Sequence, residues 1–135
     1  MGGRAKTVAK CLRAVEACLF TDGAAVPPCL DDAQATCARA IAALTRPGNG
    51  LEAKLVAGVV KGCSAPAFAD VLAAQGLGYA ALASTCGGLG AGAIDDPGGL
   101  AACLLRQHEC RVEQWLERET PRLRELIDLG GALLP

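Results

Sequence analysis

The sequence predicts an all-α fold in which disulfide bonds join antiparallel helices. Alanine is the commonest residue and only 3% of residues are aromatic, a composition that favours helix over strand. The chain also holds eight cysteines, and several of them recur at helical spacing. Cys11 and Cys18 are seven residues apart, and Cys29 and Cys37 are eight apart. These observations together predict a disulfide-stapled bundle of five or six helices built from antiparallel hairpins.

The first two helices are predicted over residues 4–20 and 28–46. In the first, apolar positions recur at alternating intervals of three and four residues, which is the spacing of one helix face. The second opens at Pro28, a residue suited to the first turn of a helix. It ends before the Pro-Gly-Asn-Gly turn at residues 47–50. The predicted inward positions of the first helix are Val8, Cys11, Val15 and Cys18, with Leu12 and Leu19 beside them.

The cysteines of these two helices predict their own pairing. Two cysteines seven residues apart on one helix are about 10 Å apart, whereas a disulfide needs Cα atoms within about 7 Å. Bonds within either helix are therefore excluded. Folding the helices antiparallel about their loop brings Cys18 to Cys29 and Cys11 to Cys37, so residues 1–47 are predicted to form an N-terminal stapled hairpin.

A third helix is predicted over residues 49–63, where Asn49 and Glu52 have the spacing of a capping box. Two short helices follow at residues 65–75 and 79–86, and a glycine-rich connection spans residues 87–99. The inward positions of the third helix are predicted to be Leu55, Val56, Val59, Val60 and Cys63.

The longest helix is predicted over residues 97–119, with Asp96 as N-cap and Pro97 as its first residue. A last amphipathic turn follows Pro121 and closes at Gly130. The inward positions of these two helices are predicted to be Leu100, Cys103, Leu104, Cys110, Trp115, Leu123, Leu126 and Ile127.

The second half of the chain predicts a second stapled hairpin. Folding residues 79–86 antiparallel onto the long helix brings Cys86 to Cys103, which leaves Cys63 for Cys110. The alternative, Cys63–Cys103 with Cys86–Cys110, stays open because eight cysteines allow 105 pairings. We expect one helical domain over residues 1–135, in which residues 48–135 hold helix three and the C-terminal stapled hairpin.

No catalytic, cofactor or metal site is predicted. Thiolates can bind soft metals such as Cu(I), but no two cysteines lie three or four residues apart, and no grouping has zinc-site spacing. His108 is the only histidine, and we expect it to be a structural or surface residue. The glycines of residues 87–92 follow a helix rather than a strand, which argues against a phosphate loop. The glutamates and arginines of residues 106–118 predict a solvated, ion-paired helix face.

Three stretches carry a resemblance to a known group of proteins. Residues Lys10–Cys18, Leu77–Ala83 and Leu100–Glu113 resemble uncharacterised cysteine-rich helical bacterial proteins that are predicted to be exported. The resemblance covers most of the chain. It implies export and disulfide bonding, and it transfers no activity and no residue role.

The cysteine count and charge complete the functional expectation. An even number of cysteines suits an oxidised, secreted or periplasmic protein, and no apolar run is long enough to span a membrane. The first residues lack the apolar stretch of a secretory signal, so we expect a mature or excised piece. A net charge of −1 gives no case for nucleic-acid binding.

The favoured function is a non-enzymatic exported structural or interaction module, a self-associating unit of an extracellular assembly. We expect its partner to be a second copy or another protein. One alternative is a carrier of a small apolar ligand or lipid in a helix-bundle cavity. Another is metal or haem binding through His108 or free thiols.

Overall fold

The computed structural model describes residues 2–21 and 26–131, and it confirms the all-α prediction. Within these residues there are seven α-helices, one short 3-10 turn and no strand. Two short helices precede the longest one, as the sequence predicts, and the predicted last amphipathic turn is a helix of seven residues. In chain order the elements are α1 (Gly2–Leu19), α2 (Val26–Thr45), α3 (Leu51–Cys63), α4 (Phe68–Leu72), the 3-10 turn (Tyr79–Leu82), α5 (Ala83–Gly88), α6 (Pro97–Glu119) and α7 (Leu123–Leu129).

The chain divides into two units, each with its own core. The first unit comprises residues 1–46 and 112–135, and the second comprises residues 47–111. The change after residue 46 lies close to the expected end of the N-terminal hairpin. The C-terminal residues, however, belong to the first unit and not to the expected C-terminal hairpin.

The core of the first unit lies between α1 and α2 and is completed by the end of α6 and by α7. The predicted inward face of α1 is buried, and so is the predicted apolar face of α7. Leu19 is the exception, because it is largely exposed. Leu19 is the last residue of α1, and α2 begins only three residues before Cys29. Little of α2 therefore lies opposite Leu19 to cover it. The buried residues of this core are Val8, Cys11, Leu12, Val15, Cys18, Ala33, Cys37, Val112, Leu116, Leu123, Leu126 and Ile127.

The end of α7 approaches the first hairpin closely. A Cβ atom added to Gly130 would lie 2.9 Å from Sγ of Cys37 and 3.2 Å from a methyl group of Val15. Next to it, the side-chain amide of Gln34 donates a 3.1 Å hydrogen bond to the carbonyl of Leu129. Glycine is therefore required at position 130 for α7 to pack against the bonded cysteine of α2.

The core of the second unit is smaller. It consists of Val71, Cys86, Ile94, Leu100 and Cys103. No residue of α3 is fully buried, so the predicted inward face of this helix is wrong as a core face. Of its residues, Val59 and Cys63 pack against the cluster from the side, whereas Leu55 is exposed. The cluster has too few large side chains to cover a whole face of α3.

The start of α6 agrees with the sequence, and the start of α3 does not. The backbone N–H of Gly99 donates to Oδ1 of Asp96 at 2.7 Å, as expected of an N-cap. The N-cap of α3 is Gly50, because Asn49 lies in the preceding turn. The capping box predicted between Asn49 and Glu52 is therefore wrong.

Trp115 was expected inside and is instead 54% exposed. Near the end of α6, the inward positions are taken by Val112 and Leu116, which are four residues apart and both buried. Trp115 lies beside that stripe. Earlier in α6, Leu104 and Cys110, which were also expected inside, are half-buried.

Candidate functional site

Two disulfide bonds join α1 to α2. Cys11 is bonded to Cys37 with Cα atoms 4.6 Å apart, and Cys18 is bonded to Cys29 with Cα atoms 5.6 Å apart. Both separations lie within the range that a disulfide spans. Because the earlier cysteine of α1 pairs with the later cysteine of α2, the two helices run antiparallel. These are the pairings that the spacing predicts.

A third disulfide lies in the second unit. Cys86 of α5 is bonded to Cys103 of α6, with a Cα–Cα distance of 5.2 Å. Both cysteines are completely buried in the core with Val71 and Leu100. This bond therefore holds a short helix of six residues against the long helix. The alternative pairing of Cys63 with Cys103 is not the one formed.

The fourth predicted pair, Cys63–Cys110, is not formed, and both residues are half-buried thiols. Cys63 packs against the core that surrounds the Cys86–Cys103 bond. Cys110 lies seven residues beyond Cys103 on α6, which is about 10 Å along a helix. The prediction of a Cys63–Cys110 bond followed only from elimination. Elimination does not take into account the distance between Cys103 and Cys110 along α6.

Alkylation of the oxidised protein is expected to label Cys63 but none of the six bonded cysteines. Intact mass and peptide mapping after treatment with iodoacetamide, without reductant, will measure this. Reduced and denatured protein supplies the control in which all eight cysteines react. A Cys63 that stays unlabelled in unfolded, non-reduced protein would show that a fourth disulfide forms in solution.

A partly buried ion pair joins the first turn of α1 to α6. Nη2 of Arg4 donates to Oε1 of Glu113 at 2.9 Å, and the two side chains are 5% and 34% exposed. The partners are 109 residues apart in sequence. No local sequence pattern predicts such a long-range contact. The sequence analysis therefore missed it and placed Glu113 on a solvated helix face. The pair fixes the first turn of α1 to α6.

The remaining charged residues of α6 are partly ion-paired, as expected. Arg106 donates to Glu109 at 3.1 Å, three residues along the same helix. Glu109 is nevertheless buried, which the prediction of a solvated face did not foresee. His108, beside it, is half-buried. Across residues 2–21 and 26–131, no three His, Cys, Asp or Glu side chains are grouped so that they could hold a metal ion.

An open cleft lies where α6 ends and α7 begins. It has a volume of about 270 Å³. Arg124 donates to Glu117 across it at 2.8 Å, and Arg122 pairs with Glu125 at 2.7 Å. The hydrogen bond and charge of Glu117 raise the pKa of Arg124 above its ordinary value. Four of the six lining residues are charged, so this cleft does not suit an apolar ligand. The lining residues are Glu117, Pro121, Arg122, Leu123, Arg124 and Glu125.

Both units expose large apolar side chains. Phe20, at the end of α1, is 89% exposed, and Leu77 of the second unit is 67% exposed. Phe20 follows Cys18 by two residues, so the disulfide to Cys29 anchors the helix that carries it. Among residues 2–21 and 26–131, the other large exposed apolar residues are Leu19, Leu51, Leu55, Trp115 and Leu129.

No helix of the described residues combines the length and the apolar character that crossing a membrane requires. No protein-family model, curated protein or solved structure matches this chain.

Proposed function

We propose that this chain is a non-enzymatic structural or interaction module of an extracellular or periplasmic assembly, and that it associates with further copies of itself. The observation that carries the proposal is an exposed phenylalanine on a helix end held by a disulfide. The disulfide supports the compartment, and the exposed phenylalanine supports association.

The disulfides support the compartment. Three such bonds are formed among the described residues, and bonds of this kind persist in oxidising environments outside the cytosol. They also compensate for small cores: the second unit buries only five core residues. A module stapled in this way keeps its shape without a large apolar interior.

Phe20 supports association. Aromatic side chains supply much of the energy of protein interfaces, and most large aromatic residues of a folded protein are at least partly buried. Phe20 is 89% exposed although it follows a disulfide-bonded helix. Leu19, next to it, adds a second exposed apolar side chain. A second copy that covers this helix end would remove both side chains from water.

The alternatives have less support in the described residues. A carrier of apolar ligands needs a concave site lined mainly by apolar side chains, and four of the six residues that line the cleft at the α6–α7 junction are charged. A metal or haem function through His108 would need further ligands brought close to it. We therefore keep self-association as the proposal.

Sedimentation velocity over a range of concentrations tests this function. We expect the oxidised wild-type protein to associate, and Phe20→Ser to raise the dissociation constant at least about tenfold, since burial of an aromatic side chain contributes about 1.5–3 kcal/mol. Phe20 is exposed, so the substitution leaves the core intact.

Leu77→Ser is the matched control, because it removes an exposed apolar residue of the other unit. We expect this variant to associate like wild type. A protein that stays monomeric at every concentration, or two variants that weaken association equally, would contradict the proposal. Thermal unfolding of both variants checks that the fold is retained.

A further inference from the structure

We propose that Asn49 is a site of spontaneous deamidation, at which this chain acquires a negative charge before α3. Asn49 is the only asparagine of the sequence, and it is followed by Gly50. The pair lies in the connection between α2 and α3, where the chain passes from its first unit to its second. The inference is independent of the proposed function.

The structure leaves the side-chain amide of Asn49 accessible. Asn49 is exposed in the turn that precedes α3. The N-cap of that helix is Gly50, and no side chain makes a capping hydrogen bond there. Asn49 is therefore not the N-cap, and its exposure lets water reach the side-chain carbonyl carbon that must react.

Gly50 supplies the attacking atom. Its carbonyl accepts from the backbone N–H of Lys54 at 3.0 Å, but the N–H of an N-cap residue lies outside the helical hydrogen-bond ladder. Attack by this nitrogen therefore breaks no hydrogen bond of α3. Gly50 is buried, so the hydroxide ion that takes its amide proton must enter through the exposed turn at Asn49. Glycine also has no Cβ to obstruct the approach.

The chemistry needs only water. The backbone nitrogen of Gly50 loses its proton and forms a bond to Cγ of Asn49, and the side-chain nitrogen leaves as ammonia. The product is a five-membered succinimide. Water then opens the ring at either carbonyl, which gives aspartate or isoaspartate at position 49. The net change replaces an amide with a carboxyl group, with no oxidant or reductant.

The new charge lies at a favourable place. The N-terminus of a helix carries partial positive charge, and position 49 immediately precedes the N-cap of the 13-residue helix α3. An aspartate there is therefore compatible with the fold. Isoaspartate instead adds a methylene group to the main chain between the two units. Either product moves the formal net charge from −1 by one further negative charge.

A second Xaa-Gly amide pair provides an internal reference. Gln75 precedes Gly76, but the N–H of Gly76 donates to the carbonyl of Ala73 at 2.9 Å. A Cβ on Gly76 would also overlap the carbonyl oxygen of Asp70, so the backbone is packed there. Glutamine must also close a six-membered ring, which forms more slowly than the five-membered succinimide. For both reasons we expect Gln75 to stay intact under conditions that convert Asn49.

Incubation of the oxidised full chain at mildly alkaline pH and 37 °C tests the proposal. Cation or anion exchange should resolve a growing acidic form, and peptide mapping should place aspartate and isoaspartate at position 49. Asn49→Gln should slow this form by at least about tenfold. Gly50→Ala should slow it as well, because the added Cβ obstructs the approach of the attacking nitrogen. The variant should fold, since the backbone of Gly50 (φ −65°, ψ 166°) is one that alanine adopts.

Two results would overturn the inference. One is wild-type protein that forms no acidic species during incubation, while a short peptide spanning residues 46–54 deamidates under the same conditions. The other is an acidic species that forms equally fast in wild type and Asn49→Gln. If Gly50→Ala fails to fold, Asn49→Gln still decides the outcome.

Discussion

Removal of the Cys11–Cys37 disulfide by the double substitution Cys11→Ala/Cys37→Ala is expected to lower the free energy of unfolding by about 3 kcal/mol. The two cysteines are 26 residues apart in sequence, but the Cys18–Cys29 bond lies inside that loop and shortens the chain that the outer bond closes to about 15 residues. Loop closure restricts the unfolded chain more as the loop lengthens, so we expect a similar loss for Cys86–Cys103, whose cysteines are 17 residues apart.

Trp115 reports on this loss. It is the only tryptophan of the chain and belongs to the first unit with both cysteines. Guanidinium unfolding of oxidised protein, followed by tryptophan fluorescence, gives the free energy for that unit. Cys63→Ala removes a thiol that forms no disulfide and serves as control. A loss below about 1 kcal/mol, or one matched by the control, would contradict the role assigned to the bond.

Leu100→Ala is expected to destabilise the second unit by about 3 kcal/mol. Leu100 is completely buried beside the Cys86–Cys103 bond, and truncation of a buried leucine leaves a cavity whose lining loses contacts. The core that contains Leu100 holds only five buried residues, and the disulfide limits how far this core can collapse into the cavity. The loss of unfolding free energy should therefore lie within the range of about 2–5 kcal/mol that buried Leu→Ala substitutions show.

Tyr79 is the probe for this unit. It is the only tyrosine, and it packs against the same core as Leu100. Leu77→Ala is the matched control, since Leu77 belongs to the same unit and is 67% exposed. Equal effects of the two substitutions would show that Leu100 does not support a core as described.

Local patterns predicted much of this structure. The face of α1 that carries Val8 and Val15 was readable because apolar residues repeat with helical period. The two bonds of the first hairpin followed because two similar spacings around one loop leave a single antiparallel match. Asp96 was readable as an N-cap because its side chain acts on a neighbouring N–H. In each case the information lies within about one hairpin of sequence.

Long-range features were not predictable in this way. In the sequence Arg4 has the features of an ordinary surface residue, and only the fold reveals that it is buried and paired with Glu113. Trp115 was expected inside on periodicity, but two smaller neighbours, Val112 and Leu116, fill the available space. The Cys63–Cys110 pair was inferred by elimination. Whether Cys63 can reach a cysteine seven residues beyond Cys103 on α6 depends on how α3 packs, and the sequence does not show that packing.

The first unit is assembled from both ends of the described chain, and this has a consequence for synthesis. The hairpin of α1 and α2 is local, so its two bonds can be made as soon as residues up to Cys37 have emerged. The surface covering Val15 and Cys37 comes from α7, which is made almost a hundred residues later. A chain that emerges from its N-terminus therefore exposes the apolar surface around Val15 and Cys37 until α7 has followed, and surface exposed in this way is prone to aggregation.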